Sequence, residues 1–79
     1  MTYPWIETKK ELPPECTVVL GYSKKWIDED FNPEGIREAF LGGDGDWASA
    51  AWNNDQDCWS TDWETIPTHW MQRPEPPIL

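Results

Sequence analysis

The residues with the most obvious chemistry are one histidine, two cysteines and a long run of carboxylates. His69 with Cys16 or Cys58 could make a nucleophile–base pair or begin a metal site. A cysteine attacks as its thiolate, and the carboxylates around Cys58 blunt that attack. One histidine and two distant cysteines cannot complete tetrahedral zinc without carboxylates, and no CxxC spacing is present. Calcium has a better spacing. Asn53, Asp55, Asp57 and Glu64 stand at positions one, three, five and twelve of an EF-hand-type loop. Position six, where the sharp turn needs glycine, is Cys58. The segment GGDGDW (42–47) misses the repeated GGxGxD calcium pattern by one residue and occurs once. Phosphate-cradling loops and the GxSxG elbow are absent from the sequence. Carboxylates abound, and nothing singles out one acid–base pair among them. The expectation is a protein that is not an enzyme and that carries no cofactor or metal.

Binding chemistry has stronger support. The net charge is −9, and it is not spread evenly. Between Trp26 and Glu64 there are eleven acids and only Arg37 as a base, which leaves −10. The remainder of the chain therefore carries +1. Such a segment repels nucleic acid and anionic membrane and favours basic partners. Trp47, Trp52, Trp59 and Trp63 lie in or beside this acidic stretch. An exposed tryptophan beside carboxylates grips arginine and lysine by cation–π contact and ion pairing together. The expected protein-binding residues are Asp44, Asp46, Trp47, Asp55, Asp57 and Trp59. Gathered on one face, these acids would approach the charge density of a nucleic-acid strand and act as a DNA mimic. Spread over all faces, they would only keep the protein in solution.

Some frame must position these groups. ELPPE (11–15) reads as a turn, because each proline fixes its own φ and restricts the residue before it. CTVVLGYS (16–23) reads as a strand. KKWIDEDFNPEG (24–35) is a polar connection that stops at Asn32–Gly35. IREAFLGG (36–43) reads as a second strand, with a short helical turn as the alternative. GGDGDW makes a turn into a third strand, DWASAAW (46–52). NNDQDCWSTDWETI (53–66) shows no period and reads as a long loop. THWMQRP (68–74) is a last short strand, placed to close the sheet edge. The fold class is then mostly β or α+β: a small antiparallel sheet with long loops and at most two short helices. A single domain is expected over 1–79, with 74–79 as an extended proline-rich tail.

A chain of this length buries only about 60–65% of the surface it exposes when unfolded. Ile, Leu, Val and Phe are few, so most of the seven tryptophans are expected in the core. No apolar run is long enough for a membrane span, and no secretory h-region is visible at the N-terminus. A cytosolic protein with reduced thiols is the expectation.

The two ends of the chain carry a family resemblance. Trp5-Ile6, Leu12-Pro13 and Val19-Leu20 stand at the start. Thr68-His69-Trp70-Met71 with Pro74, Pro76 and Pro77 stand at the end. Together they resemble the domain of unknown function 551 family, small proteins mostly of phages and prophages. The family ending is similar to THWMPLPEPP, and Gln72-Arg73 here replaces its Pro-Leu. The resemblance covers the ends and is weak between them. It implies a phage-associated accessory protein and brings no catalytic residue with it. The function expected from residues and resemblance together is binding of a basic face on a host protein. A nucleic-acid-handling defence complex is the expected target, in the manner of an anti-CRISPR or anti-restriction inhibitor. A protein that sequesters a nucleotide signal, or a structural assembly subunit, are the alternatives.

Overall fold

The computed structural model describes residues 4–53 and 58–77, with residues 52 and 53 described by backbone alone. The strands are β1 (Ile6–Glu7), β2 (Val19–Tyr22), β3 (Ile36–Leu41), β4 (Trp47–Asn53), β5 (Cys58–Asp62) and β6 (His69–Met71). They form one sheet in the order β1-β6-β2-β3-β4-β5. Every pairing is antiparallel. A 3₁₀ turn at Lys24–Trp26 is the only helical element among the described residues. The molecule is a small, mostly β domain.

β2, β3, β4 and β6 fall where apolar and β-branched residues mark them. β5 lies inside the stretch that reads as a loop. It is the last strand of the sheet and exposed along nearly its whole length. A strand wet on both faces shows no alternation of polarity, so no period marks it. Its backbone pairs with β4 over the register Asn53↔Cys58 to Ser49↔Asp62. β6 also departs from expectation. It lies inside the sheet, paired with both β2 and β1, and the two-residue β1 takes the edge.

Strand registers place side chains on two faces. One face carries Ile6, Trp70, Val19, Ala39, Leu41 and Trp47, which with Trp26 from the 3₁₀ turn make the core. Trp26 reaches the sheet because Gly21 leaves room: a Cβ there would stand 3.2 Å from its ring and 3.1 Å from Pro67 Cβ. Ser23 caps the 3₁₀ turn, its hydroxyl accepting from the Lys25 amide. Three of the tryptophans described with side chains, Trp26, Trp47 and Trp70, are buried, whereas Trp59 and Trp63 are exposed. Trp5 is half-buried, so half of these six tryptophans, rather than most, belong to the core. Buried Pro67, small Ala39 and the room left at Gly21 complete the packing around them.

The opposite face carries Leu20, Tyr22, Ile36, Glu38, Phe40, Ala50, Trp59, His69 and Met71. His69 stands against Tyr22 in an edge arrangement at 6.1 Å, with its Nδ1 2.9 Å from the Thr68 hydroxyl. Trp70, the next residue, points to the core face.

Gly35 closes the 24–35 connection at φ 71°, and its carbonyl accepts from the Ser23 amide. A Cβ there would meet the Ser23 carbonyl oxygen at 2.8 Å and Ile27 Cγ1 at 2.9 Å. Gly35→Ala is expected to cost about 1–3 kcal/mol in urea unfolding. Gly45→Ala shares the positive φ but meets open space, so it should cost only about 1 kcal/mol. Equal costs would remove the packing part of this account.

Candidate functional site: an acidic cleft walled by exposed aromatics

β3 and β4 pair only from Leu41↔Trp47 to Ala39↔Ser49. Beyond that point the first half of β3 leaves the ladder, while β4 continues with β5 alone. A fork opens between Ile36–Glu38 on one side and the β4–β5 hairpin on the other. Arg37 crosses it. Its Nη1 donates to the Ser49 hydroxyl at 3.3 Å and to Asp62 Oδ2 at 3.0 Å. Its guanidinium also lies 4.8 Å from the centre of the Trp26 ring. One side chain thus ties β3, β4, β5 and the 3₁₀ turn.

Above this tie lies a cleft of about 470 Å³, lined among others by Trp26, Asp28, Phe31, Glu38, Ala50 and Trp59. Phe31 is 57% exposed and Trp59 is 68% exposed. Phe31 is held in place rather than trailing. Asp28 and Asn32 exchange backbone hydrogen bonds at 2.9 Å each, and Asp28 Oδ1 accepts the amides of Asp30 and Phe31. Asn32 Nδ2 donates to the Ile36 carbonyl. The turn that fixes Phe31 therefore also fixes a carboxylate next to it. Phe31 is thus a large apolar side chain held by an ordered turn at the wall of the cleft and more than half exposed there.

The charges of the site are Asp28, Glu38 and Asp62 against Arg37. Arg37 and Asp62 compensate each other, which leaves two negative charges. Burial is the largest single influence on the Asp62 carboxyl and opposes its ionisation. The amides of Glu64 and Thr65 and the Arg37 guanidinium outweigh it, so the group is held below its ordinary value. Glu38 has Arg73 Nη1 4.0 Å away, with both side chains more than half exposed. A pair of that kind holds weakly and yields to a better one.

The residues expected to bind are only partly brought together. Asp44 and Asp46 are exposed in the turn before β4, where Asp44 Oδ1 accepts the Asp46 amide. Trp59 sits opposite Trp52 near the far end of β4, about 20 Å away at the rise of an extended strand. Trp47 is 5% exposed and belongs to the core, so it cannot face a partner. The strand register sends it to the core face beside Leu41. Asp55 and Asp57 lie outside the described residues, as do positions two to five of the calcium-type loop as a whole. Strand β4 runs into the first position of that loop and β5 occupies positions six to ten, whereas an EF-hand loop is irregular and lies between helices. Among the described residues no group of three possible metal ligands comes together. Cys16 and Cys58 are both exposed.

Phe31, Asp28 and Glu38 were not legible as site residues. The one available signal was FNP after an acidic triplet, which marks a turn and places a phenylalanine where no core can be. No helix among the described residues is long and apolar enough to cross a membrane. No family model, curated protein or solved structure matches the chain.

Proposed function

We propose that this chain is a non-enzymatic binding protein that engages a basic face of a host protein through the Phe31–Trp59 cleft and the acids around it. The observation that carries the reading is two mostly exposed aromatics flanking two carboxylates in one concave site. Cation–π attraction and ion pairing act together there, and both strengthen as the partner excludes water. Blocking works by occupying the lysines and arginines that otherwise hold phosphate, as in a CRISPR effector, a restriction enzyme or a polymerase. A phage or prophage setting in the bacterial cytoplasm rests on the resemblance of the two ends alone.

A cleft of about 470 Å³ is also in the range of small-ligand sites. Its carboxylates oppose a nucleotide phosphate, which leaves that reading second.

Capture of a host protein by the tagged chain tests the proposal. At about 0.1 M salt a basic partner is expected to be retained, and at about 1 M, where screening acts within a few ångströms, to be lost. Retention of the same partner at both would end the electrostatic part. The two acidic regions should also separate kinetically. Asp44→Asn with Asp46→Asn is expected to slow association several-fold at low salt and leave dissociation unchanged. Trp59→Ala is expected to speed dissociation about tenfold or more. Surface plasmon resonance reads both rates, and a change confined to the opposite rate in either variant would count against the site.

A further inference from the structure

The cleft carries more detail than a general affinity for basic surfaces. Its walls are aromatic on two sides, with Phe31 on the Asp28–Asn32 turn and Trp59 on β5. Glu38 stands on the same sheet face as Trp59, and Asp28 stands beside Phe31. Ala50 lies between them on that face, opposite Thr61 and diagonal to Trp59, and its small side chain leaves the space open. Glu38 also borders two neighbouring hollows of the same face, so it is approachable from several directions. Two aromatic side chains and two carboxylates lining one cleft match one group better than any other. A guanidinium is planar, lies against aromatic faces, and directs several N–H donors in its own plane toward carboxylate oxygens. An ammonium has one small, strongly hydrated charge and cannot use the faces as fully. The wall itself holds the same combination, with Arg37 over Trp26 and paired to Asp62.

We infer that the cleft is an arginine-side-chain receptor: a partner's guanidinium enters beside Phe31 and Trp59 over Ala50 and pairs with Glu38 and Asp28. This deepens the proposed function and rests on it for the partner, but its test needs no partner. The full chain is titrated with N-acetyl-arginine amide, N-acetyl-lysine amide and inorganic phosphate, and the tryptophan indole N–H resonances are followed.

Saturable shifts with the arginine compound are expected in the millimolar range, at least about fivefold tighter than with the lysine compound. Phosphate should give none. Ala50→Leu fills the cleft without changing charge, and Glu38→Gln removes one charge without changing shape. Each is expected to weaken arginine binding about tenfold while leaving the unfolding midpoint near that of the parent. Saturation by phosphate, lysine binding as tight as arginine, or undiminished arginine binding in Ala50→Leu would each overturn the inference. The two readings fail separately. Salt-sensitive capture of a basic protein that survives Ala50→Leu keeps the acidic surface and removes the receptor. Arginine binding with no captured protein does the reverse.

Discussion

Trp70→Ala is expected to abolish cooperative unfolding at 25 °C. Trp70 is 3% exposed and sits on β6, the strand that joins β1 to β2. Its ring packs on the core face opposite Ile6 and Gly21, and its Nε1 donates to the Glu11 carbonyl at 2.8 Å. The substitution removes the transfer energy of the ring and leaves a cavity, together about 3–5 kcal/mol. It also strips the Glu11 carbonyl of its partner, which frees the loop between β1 and β2. Total stability for a chain of this length is about 4–12 kcal/mol, so the change consumes much or all of it. Near-ultraviolet circular dichroism and urea titration read the result. Trp59→Ala is the control, because its side chain is mostly in water and should shift stability by no more than about 0.5 kcal/mol. A Trp70→Ala protein with a sharp transition near the parent midpoint would mean the ending is not what holds the sheet together.

That contrast between two tryptophans shows where the sequence was readable. Trp70 stands within the strand-like THWM and is bracketed by Pro67 and Pro74, so a core role was legible from local chemistry. Trp59 and Trp47 were not separable by type or by neighbours, since both stand among acids. Their fates are set by register: β4 turns Trp47 to the core with Leu41, and β5 lies beyond β4 with nothing outside it. Register is a long-range property, fixed by which strands pair, and composition is silent on it. The acids also have a local task that composition does not show. Asp28, Asp44 and Asp62 each accept a backbone amide within the next three residues, so part of the acidity is turn chemistry. An oxygen bonded to an amide keeps its charge, so the turn bonds leave the negative field of the surface in place. The cleft was invisible for a further reason. It exists because β3 and β4 part company after Ser49, and no residue of either strand announces the divergence.

Arg37→Met is expected to destabilise the fold by about 2–3 kcal/mol at neutral pH. The methionine keeps apolar contact with Trp26 but loses the bonds to Ser49 and Asp62, which leaves a mostly buried hydroxyl and carboxylate without their donor. Removing one partner of such a pair costs more than removing both, so Arg37→Met with Asp62→Asn should be less damaging than the single changes add up to, by about 0.5–3 kcal/mol. The pH dependence follows from the direction in which the Asp62 carboxyl is held. Its folded value lies below the unfolded one, so its contribution is complete above the unfolded value of about 3.9. It is lost as pH falls through the lower, folded value. The stability gap between parent and Arg37→Met should therefore be constant from about pH 7 to pH 5 and narrow below about pH 4. Asp62→Asn cannot titrate there, and its own curve should lose that acid-limb component. Urea midpoints for the three variants across this range decide the matter. A gap that stays constant down to pH 2 would show that Arg37 stabilises the fork by packing on Trp26 alone, and that the ion pair across it contributes nothing. The cleft would then rest on a stacked side chain rather than a charged tie, and its walls should keep their spacing when Asp62 is neutral.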